Sequence, residues 1–496
     1  MSRAPGTEST RVAGRHRPGS HRSAVREGYP QCRSSALPSM PAVPAGAACA
    51  VADAEESRLR RLTKTIRRPS FVRNVARTAG FNIGTTVAAG LGGIIIARAL
   101  GPTGRGEYAA VTAWFGVAVM VGGMGQSSAL CFFVARDPTR ASQYLATSRA
   151  MMLATGALVL AASLLLAPHL AHGNTAVATA YRIAFCVVII ALVGASYTYS
   201  LQARNISRWN MSRTVQPLAS AIAIMALWRL RMLTLDTALL VLGSTMLMQL
   251  AWAYWSCRGA GLVPGRARAD LVRPLAVYGA AQIAAFTPAA LNQQLDQLVL
   301  SQAVPPADLG RYAIAVSLTL LPLPVVSAIG YVAFPRLASK CGVTAETRRL
   351  QRVAVLGSAG LSIAILAPLA VAAPWVVPAV FGSAYRAAVP LIWVLTPGAL
   401  FMICGQVVVD LLLGRGHPTV VAWAQSLAAV STIALLFSLL PFIGVYAAAI
   451  ASTVSYGVAF AVMLRRLLHL PAHARGSGPR ASGSRGEPHL RGAKKA

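Results

Sequence analysis

About twelve runs of roughly 20 mostly apolar residues occupy most of this chain, and a run of that length is what an α-helix needs to cross a bilayer. Their limits are 78–97, 108–134, 150–166, 183–201, 214–228 and 235–255, then 275–300, 312–334, 353–373, 387–413, 420–440 and 445–464. The fifth is short and interrupted by Gln216 and Pro217. Few other architectures suit such a pattern, because backbone amides in lipid must be satisfied within helices or closed barrels. With 496 residues that are 55% hydrophobic and 12% charged, the composition agrees with an all-α polytopic membrane protein.

The runs fall into two sets of six. The segment Ala99-Leu100-Gly101-Pro102-Thr103-Gly104-Arg105-Gly106-Glu107-Tyr108-Ala109 follows the first run of the first set. It returns as Ala303-Val304-Pro305-Pro306-Ala307-Asp308-Leu309-Gly310-Arg311-Tyr312-Ala313 after the first run of the second set. Alanine, proline, glycine, tyrosine and alanine match in register. A segment repeated at equivalent places predicts two six-helix lobes, 74–256 and 275–466, around a central cavity, the arrangement of many transporters.

The net charge of +32 would suggest nucleic acid in a soluble chain. Here the basic residues cluster in both tails and in alternate loops, so no specific nucleic-acid partner is expected. Loops after even-numbered runs hold Arg136, Arg140, Arg204, Arg208, Arg213, Arg258, Arg266, Arg268, Arg273, Arg336, Lys340, Arg348, Arg349, Arg352 and Arg415; the opposite loops hold far fewer. The positive-inside rule then puts the arginine-rich loops, the 257–274 linker and both termini in the cytoplasm. Residues 1–73 and 467–496 are expected to be disordered basic tails that meet anionic membrane lipids. Within the first tail, 57–68 has apolar residues at helical spacing among six basic ones, and reads as an interfacial helix or as a solvated charge run.

The seventh run holds a polar cluster, Asn292-Gln293-Gln294-Leu295-Asp296-Gln297. Asn292 and Asp296 are four apart and share a helical face that Ala285, Pro288 and Ala289 continue. An aspartate within a span costs about 2.5 to 3.5 kcal/mol on insertion scales, so it should face a bundle interior or a wet cavity. Lining the transport path, binding a coupling ion and pairing with a neighbouring helix are all open to it. Asp410, with Gln406 one turn earlier, is a second coupling-ion candidate or an interfacial carboxylate. Arg77 and Arg98 bracket the first run and Arg105 follows in the repeated segment. Arginine grips phosphate by bidentate hydrogen bonds, or anchors a helix end by snorkelling. Gln126 and Gln282 are neutral groups suited to sugar hydroxyls or to helix pairing. Pro288, Pro322, Pro324 and Pro397 lie inside runs and should bend or break them.

No Walker loop, GxSxG, HExxH or aqueous pair of carboxylates is present, and the seven scattered cysteines form no disulfide frame or CxxC pattern. The chain therefore reads as a transporter without covalent chemistry, needing no cofactor.

Several motifs in order carry a resemblance over residues 73–466. They are Asn82, the Ala97–Tyr108 run Ala-Arg-Ala-Leu-Gly-Pro-Thr-Gly-Arg-Gly-Glu-Tyr, Gly125-Gln126, Leu295-Asp296-Gln297-Leu298-Val299-Leu300, Gly310-Arg311-Tyr312-Ala313 and Phe334-Pro335-Arg336. The chain resembles the polysaccharide and O-antigen flippases of the multidrug/oligosaccharidyl-lipid/polysaccharide exporter superfamily. The resemblance implies two six-helix lobes that move an undecaprenyl-diphosphate-linked oligosaccharide from the inner to the outer leaflet by alternating access. It further implies work alongside other membrane proteins of polysaccharide assembly. Where relatives place a basic residue after the span-seven aspartate, this chain has Gln297. A cation-coupled multidrug exporter on the same fold is the alternative. A polysaccharide polymerase or ligase would need a large external loop, and the external loops here are short.

Overall fold

The computed structural model describes residues 69–263, 265–338 and 345–469. Most of the expected tails, the segment 57–68 included, lies outside them. Every regular element among the described residues is helical. They are α1 (Pro69–Gly123), α2 (Gln126–Arg136), α3 (Ala141–Leu170), α4 (Thr175–Arg204), α5 (Ile206–Arg229), α6 (Leu235–Arg258) and α7 (Ala269–Asn292). There follow α8 (Leu295–Ala303), α9 (Pro306–Thr319), α10 (Leu323–Ala338), α11 (Ala345–Phe381), α12 (Val389–Gly414), α13 (Pro418–Ile443) and α14 (Val445–Leu468).

These fourteen helices make twelve passes of a multi-pass membrane protein. Eight helices meet a length and apolarity test for spanning, and the pair α9 and α10, bent by 43°, makes a ninth. The long α1 contains two passes, joined at Gly101, whose backbone (φ 67°, ψ −176°) is one that side-chain-bearing residues rarely adopt. The remaining two are α5, diluted by Arg208, Arg213 and Gln216, and the broken pair α7 and α8. The expected loop between the first two runs is thus a helical kink. Pro102 sits just after the kink, where its missing amide hydrogen costs no helical bond.

Three passes are interrupted where the sequence carries polar or helix-breaking residues. The second breaks at Met124 and Gly125, which take positive φ of 43° and 65°. The carbonyl of Gly122 freed there accepts a hydrogen bond from Thr155 Oγ1 at 2.6 Å, as backbone at membrane depth requires. The seventh breaks at Gln293 and Gln294, between Asn292 and Leu295. The eighth breaks between Thr319 and Leu323, across Pro322. Ring closure at Pro322 removes the amide hydrogen that a continuous helix would use.

The two copies of the repeated segment meet face to face. A β-carbon on Gly106 would lie 1.7 Å from the carbonyl oxygen of Pro306, and one on Gly310 would lie 2.0 Å from that of Pro102. The reciprocity relates α1 to α9 by a local twofold, and glycine at both sites is what lets the backbones approach so closely. Around this contact Trp114 Nε1 donates to Ser301 Oγ at 3.0 Å, and Tyr385 Oη donates to the Ala97 carbonyl at 3.0 Å. Apolar side chains from both halves fill the same region, with Tyr181, Tyr312 and Tyr385 fully buried. The halves are therefore closed against each other at the arginine-poor end.

Toward the arginine-rich end, α7 binds the first half. Gln126, 1% exposed, donates from Nε2 to the Leu275 carbonyl at 3.2 Å and accepts from Ser148 Oγ at 3.1 Å. Gly125 and Gly279 are in backbone contact. In the connecting segment Gly265 N donates to the Ser142 carbonyl and Arg268 N to Thr147 Oγ1. Asp270 accepts from both Arg140 and Arg268 at 2.9 Å.

Candidate functional site

Two polar regions lie at membrane depth. The first is enclosed within the second half. The break between α7 and α8 turns Asn292 and Asp296 inward, where they are 2% and 4% exposed. Asp296 stands in the first turn of α8, and its Oδ1 accepts from the Gln297 amide at 2.7 Å, the favourable place for a carboxylate at a helix start. Its other oxygen accepts from the hydroxyl of Tyr312 on α9. Asn292 Oδ1 accepts from Thr432 Oγ1 on α13 at 2.6 Å, and its carbonyl accepts from Tyr456 Oη on α14 at 3.3 Å. The Asn292 Nδ2 is buried with no partner among the described residues.

A cavity of about 70 Å³ lies against this network, lined by Gln293, Asp296, Tyr312, Thr319, Ser452 and Tyr456 among others. A neighbour of about 30 Å³ adds Asn292, Gln406 and Gln425. Volumes of this size hold one or two water molecules or a bare ion, not a saccharide. The sequence put Asn292 and Asp296 on one face of a continuous helix. The helix is instead discontinuous between them, and both groups sit inside one half. Gln294, in the break itself, is the residue that turns to the other half, packing on Gly116 of α1.

The second region is a cleft of about 610 Å³ between α1 of the first half and α9 and α10 of the second. It runs from Thr85 and Thr86, near the arginine-rich end, to Arg105 near the other, with Pro217, Ser317 and Phe381 along its walls. No carboxylate lines it. The Arg105 guanidinium stands 5.7 Å from the Tyr108 ring centroid, its Nε is buried, and it makes no hydrogen bond or ion pair to a described residue. A buried Nε–H without a partner is costly, and the rest of this half-buried side chain borders the cleft. In the second copy of the repeat the equivalent position is Leu309, and its arginine, Arg311, pairs with Asp308 instead.

The other expected residues are elsewhere. Arg98 donates to the Ala379 carbonyl of α11, so it bridges the halves outside the cleft. Arg77 lies in the opening stretch of α1, where the backbone alone is described. Gln126 has spent its amide on the bridge to α7. Gln282 is half-buried on α7, outside the cleft and both small cavities. Asp410 is half-buried in the seam between α12 and α10, its Oδ2 packed where a β-carbon of Gly330 would be and lacking a hydrogen-bond partner among the described residues. Met402 lines the Asp296 cavity eight residues earlier on α12, so Asp410 stands roughly 12 Å further along that helix than this part of the cavity wall. The two carboxylates belong to separate environments. Tyr312, Thr432 and Tyr456 were not singled out from sequence, since each is an ordinary residue in an apolar run; the matched tyrosine of the repeat was the one available signal.

The fold has counterparts among known proteins. The family model for polysaccharide biosynthesis proteins matches residues 71–340, more than half of the chain. Among solved structures, an inward-facing multidrug resistance MATE family transporter of the MOP superfamily aligns with a TM-score of 0.63 at 13% identity, over 77% of this chain and 94% of that one. The lipid II flippase MurJ in an inward closed conformation aligns with a TM-score of 0.62 at 12% identity, over 79% and 88%. The MATE multidrug transporter DinF-BH in complex with R6G aligns with a TM-score of 0.58 at 14% identity, over 82% and 96%. At these identities the likeness is one of fold. No curated protein matches the chain.

Proposed function

This chain belongs to the family of polysaccharide biosynthesis proteins, and from that premise we propose that it is a membrane transporter of the MOP superfamily, whose fold it shares, and flips a lipid-diphosphate-linked oligosaccharide. The transported head enters the cleft between α1 and α9/α10 from the arginine-rich, cytoplasmic side. Its diphosphate meets Arg105, the sugars reach Thr85, Thr86 and Ser317, and the polyprenyl chain stays in lipid. Contact between Gly106 and Gly310 closes the outer end, so loading precedes opening there. The steps are binding and rocking of the halves, with no covalent bond made or broken.

The observation that carries this reading is Arg105, without a hydrogen bond or ion pair to any described residue, in a cleft lined by no carboxylate. A cationic drug would be repelled there, whereas a diphosphate gains charge-assisted bidentate hydrogen bonds. Asp296, enclosed with Tyr312 and Asn292, is the proposed site where a coupling cation or proton is taken up, apart from the substrate. The multidrug reading draws on the apolar part of the same cleft, formed by Ile94, Ile314, Leu318, Leu321 and Phe381. Deleting the protein in its host separates the two. Lipid-linked saccharide should accumulate in the inner leaflet and be restored to normal by the intact chain but not by Arg105→Gln. Unchanged saccharide intermediates together with increased drug sensitivity would overturn the flippase reading.

A further inference from the structure

A second region with its own lining lies at the arginine-rich end of the second half. Here α11 and the end of α14 leave a groove of about 330 Å³, lined by Arg348, Gln351, Arg352, Val355, Leu356, Leu464, Leu467 and Leu468. Arg348 and Arg352 are one turn apart on the same helix and both are exposed. The rest of the lining is wholly aliphatic, and Leu356 and Leu468 are 71% and 64% exposed. Gln351 is buried between the two arginines, and with its amide oxygen turned toward Arg415 it accepts from Nε and Nη2 at 3.2 and 3.3 Å. Among the described residues no carboxylate forms an ion pair with Arg348 or Arg352.

We propose that this groove binds an anionic phospholipid of the arginine-rich leaflet, its phosphate between Arg348 and Arg352 and one acyl chain along Val355, Leu356, Leu464 and Leu468. A cationic rim over an aliphatic floor at the edge of a helix bundle matches the two parts of such a lipid. The volume falls at the lower end of the range for small-ligand pockets. Positive charge is concentrated there: burial, and then the charge of Arg348, lower the pKa of Arg415 from its ordinary value. The chain's own termini cannot supply the anion, since their basic residues far outnumber the acidic ones and the net charge is +32. This site is separate from the cleft and does not depend on what the cleft transports.

The test is native mass spectrometry of the full-length protein, titrated with phosphatidylglycerol and, in parallel, with phosphatidylcholine of the same acyl chains. Preferential binding of phosphatidylglycerol is expected. Arg348→Gln with Arg352→Gln should weaken it on the order of 25-fold, about fivefold per charge, while Arg465→Gln with Arg466→Gln on the neighbouring side of α14 should not reproduce that loss. Leu356→Trp, which fills the floor and leaves the charges, should also weaken it. Equal affinity for the two lipids would overturn the assignment, as would wild-type affinity in the double glutamine variant. Displacement by inorganic phosphate alone would show a simple anion site and overturn the lipid.

Discussion

Gly106→Val tests whether contact between the two copies of the repeat is the closure at the arginine-poor end. The valine β-carbon would lie 1.7 Å from the Pro306 carbonyl oxygen and 2.9 Å from the Gly310 nitrogen. Against an optimal separation of about 3.5 Å the shortfall is about 1.8 Å. Both opposing atoms are backbone, so no side chain can swing aside, and relief requires α1 and α9 to part. Overpacking of this kind costs roughly 1 to 3 kcal/mol. All of it falls on the closed state, which shifts the ratio of open to closed by roughly 5- to 150-fold. Double electron–electron resonance reads this directly, with spin labels on the exposed His172 and Ser383, one on each half at that end, in a background without native cysteines. The variant should show a longer distance population. Gly93→Ala, whose added β-carbon meets nothing within 4 Å, should not. An unchanged distance distribution in Gly106→Val would refute the assignment of this contact as the closure.

Other outcomes follow from the same geometry. Removing the cleft's cation with Arg105→Gln should lower flipping about 10- to 150-fold, the value of a charge-assisted hydrogen bond of roughly 1.5 to 3 kcal/mol, without altering the thermal midpoint downward. Asp296→Asn should abolish stimulation of transport by an imposed cation or proton gradient, measured in proteoliposomes; full stimulation in the variant would remove Asp296 from coupling. Gln126→Leu leaves the Leu275 carbonyl and Ser148 without their partner, a loss of about 1 to 3 kcal/mol, and should lower the thermal midpoint where Gln282→Leu does not. Hydrogen bonds from Arg268 and then Arg140 hold the Asp270 carboxyl below its ordinary value. A lowered folded-state value means the link is fully formed above the unfolded pKa of about 3.9 and is lost as pH falls through the lower folded-state range. The distance between spin labels on the exposed Arg136 and Arg266, which leave Arg140, Arg268 and Asp270 in place, should accordingly be constant from neutral pH to about pH 5.

The fold was legible because it rests on the apolar runs and the repeat, both of which are patterns of residue type. Twelve passes appear where twelve runs stand, and even the weak fifth forms as α5 (Ile206–Arg229). What the runs could not convey was continuity. Gly101 carries α1 through a presumed loop, whereas Gln293 and Gln294 break a presumed helix, and that break decides where Asn292 and Asp296 point. Residues on one face of an unbroken helix share a surface; across a break they need not. Of the arginines grouped at the first span, Arg98 is used on the Ala379 carbonyl and Arg105 enters the cleft, a distinction set by the kink between them and by which helix each one meets. Spacing along a sequence carries no information about such partners, which come from the other half of the chain some two to three hundred residues away.

The central claim is most directly tested in proteoliposomes containing the purified protein and a fluorescent lipid-diphosphate oligosaccharide, with leaflet occupancy read by an impermeant quencher. The account predicts that the intact protein equilibrates or displaces the lipid between leaflets, that Arg105→Gln does not, and that R6G transport is absent from both. Identical quenching in vesicles with and without the protein, or R6G transport that persists in Arg105→Gln, would contradict it.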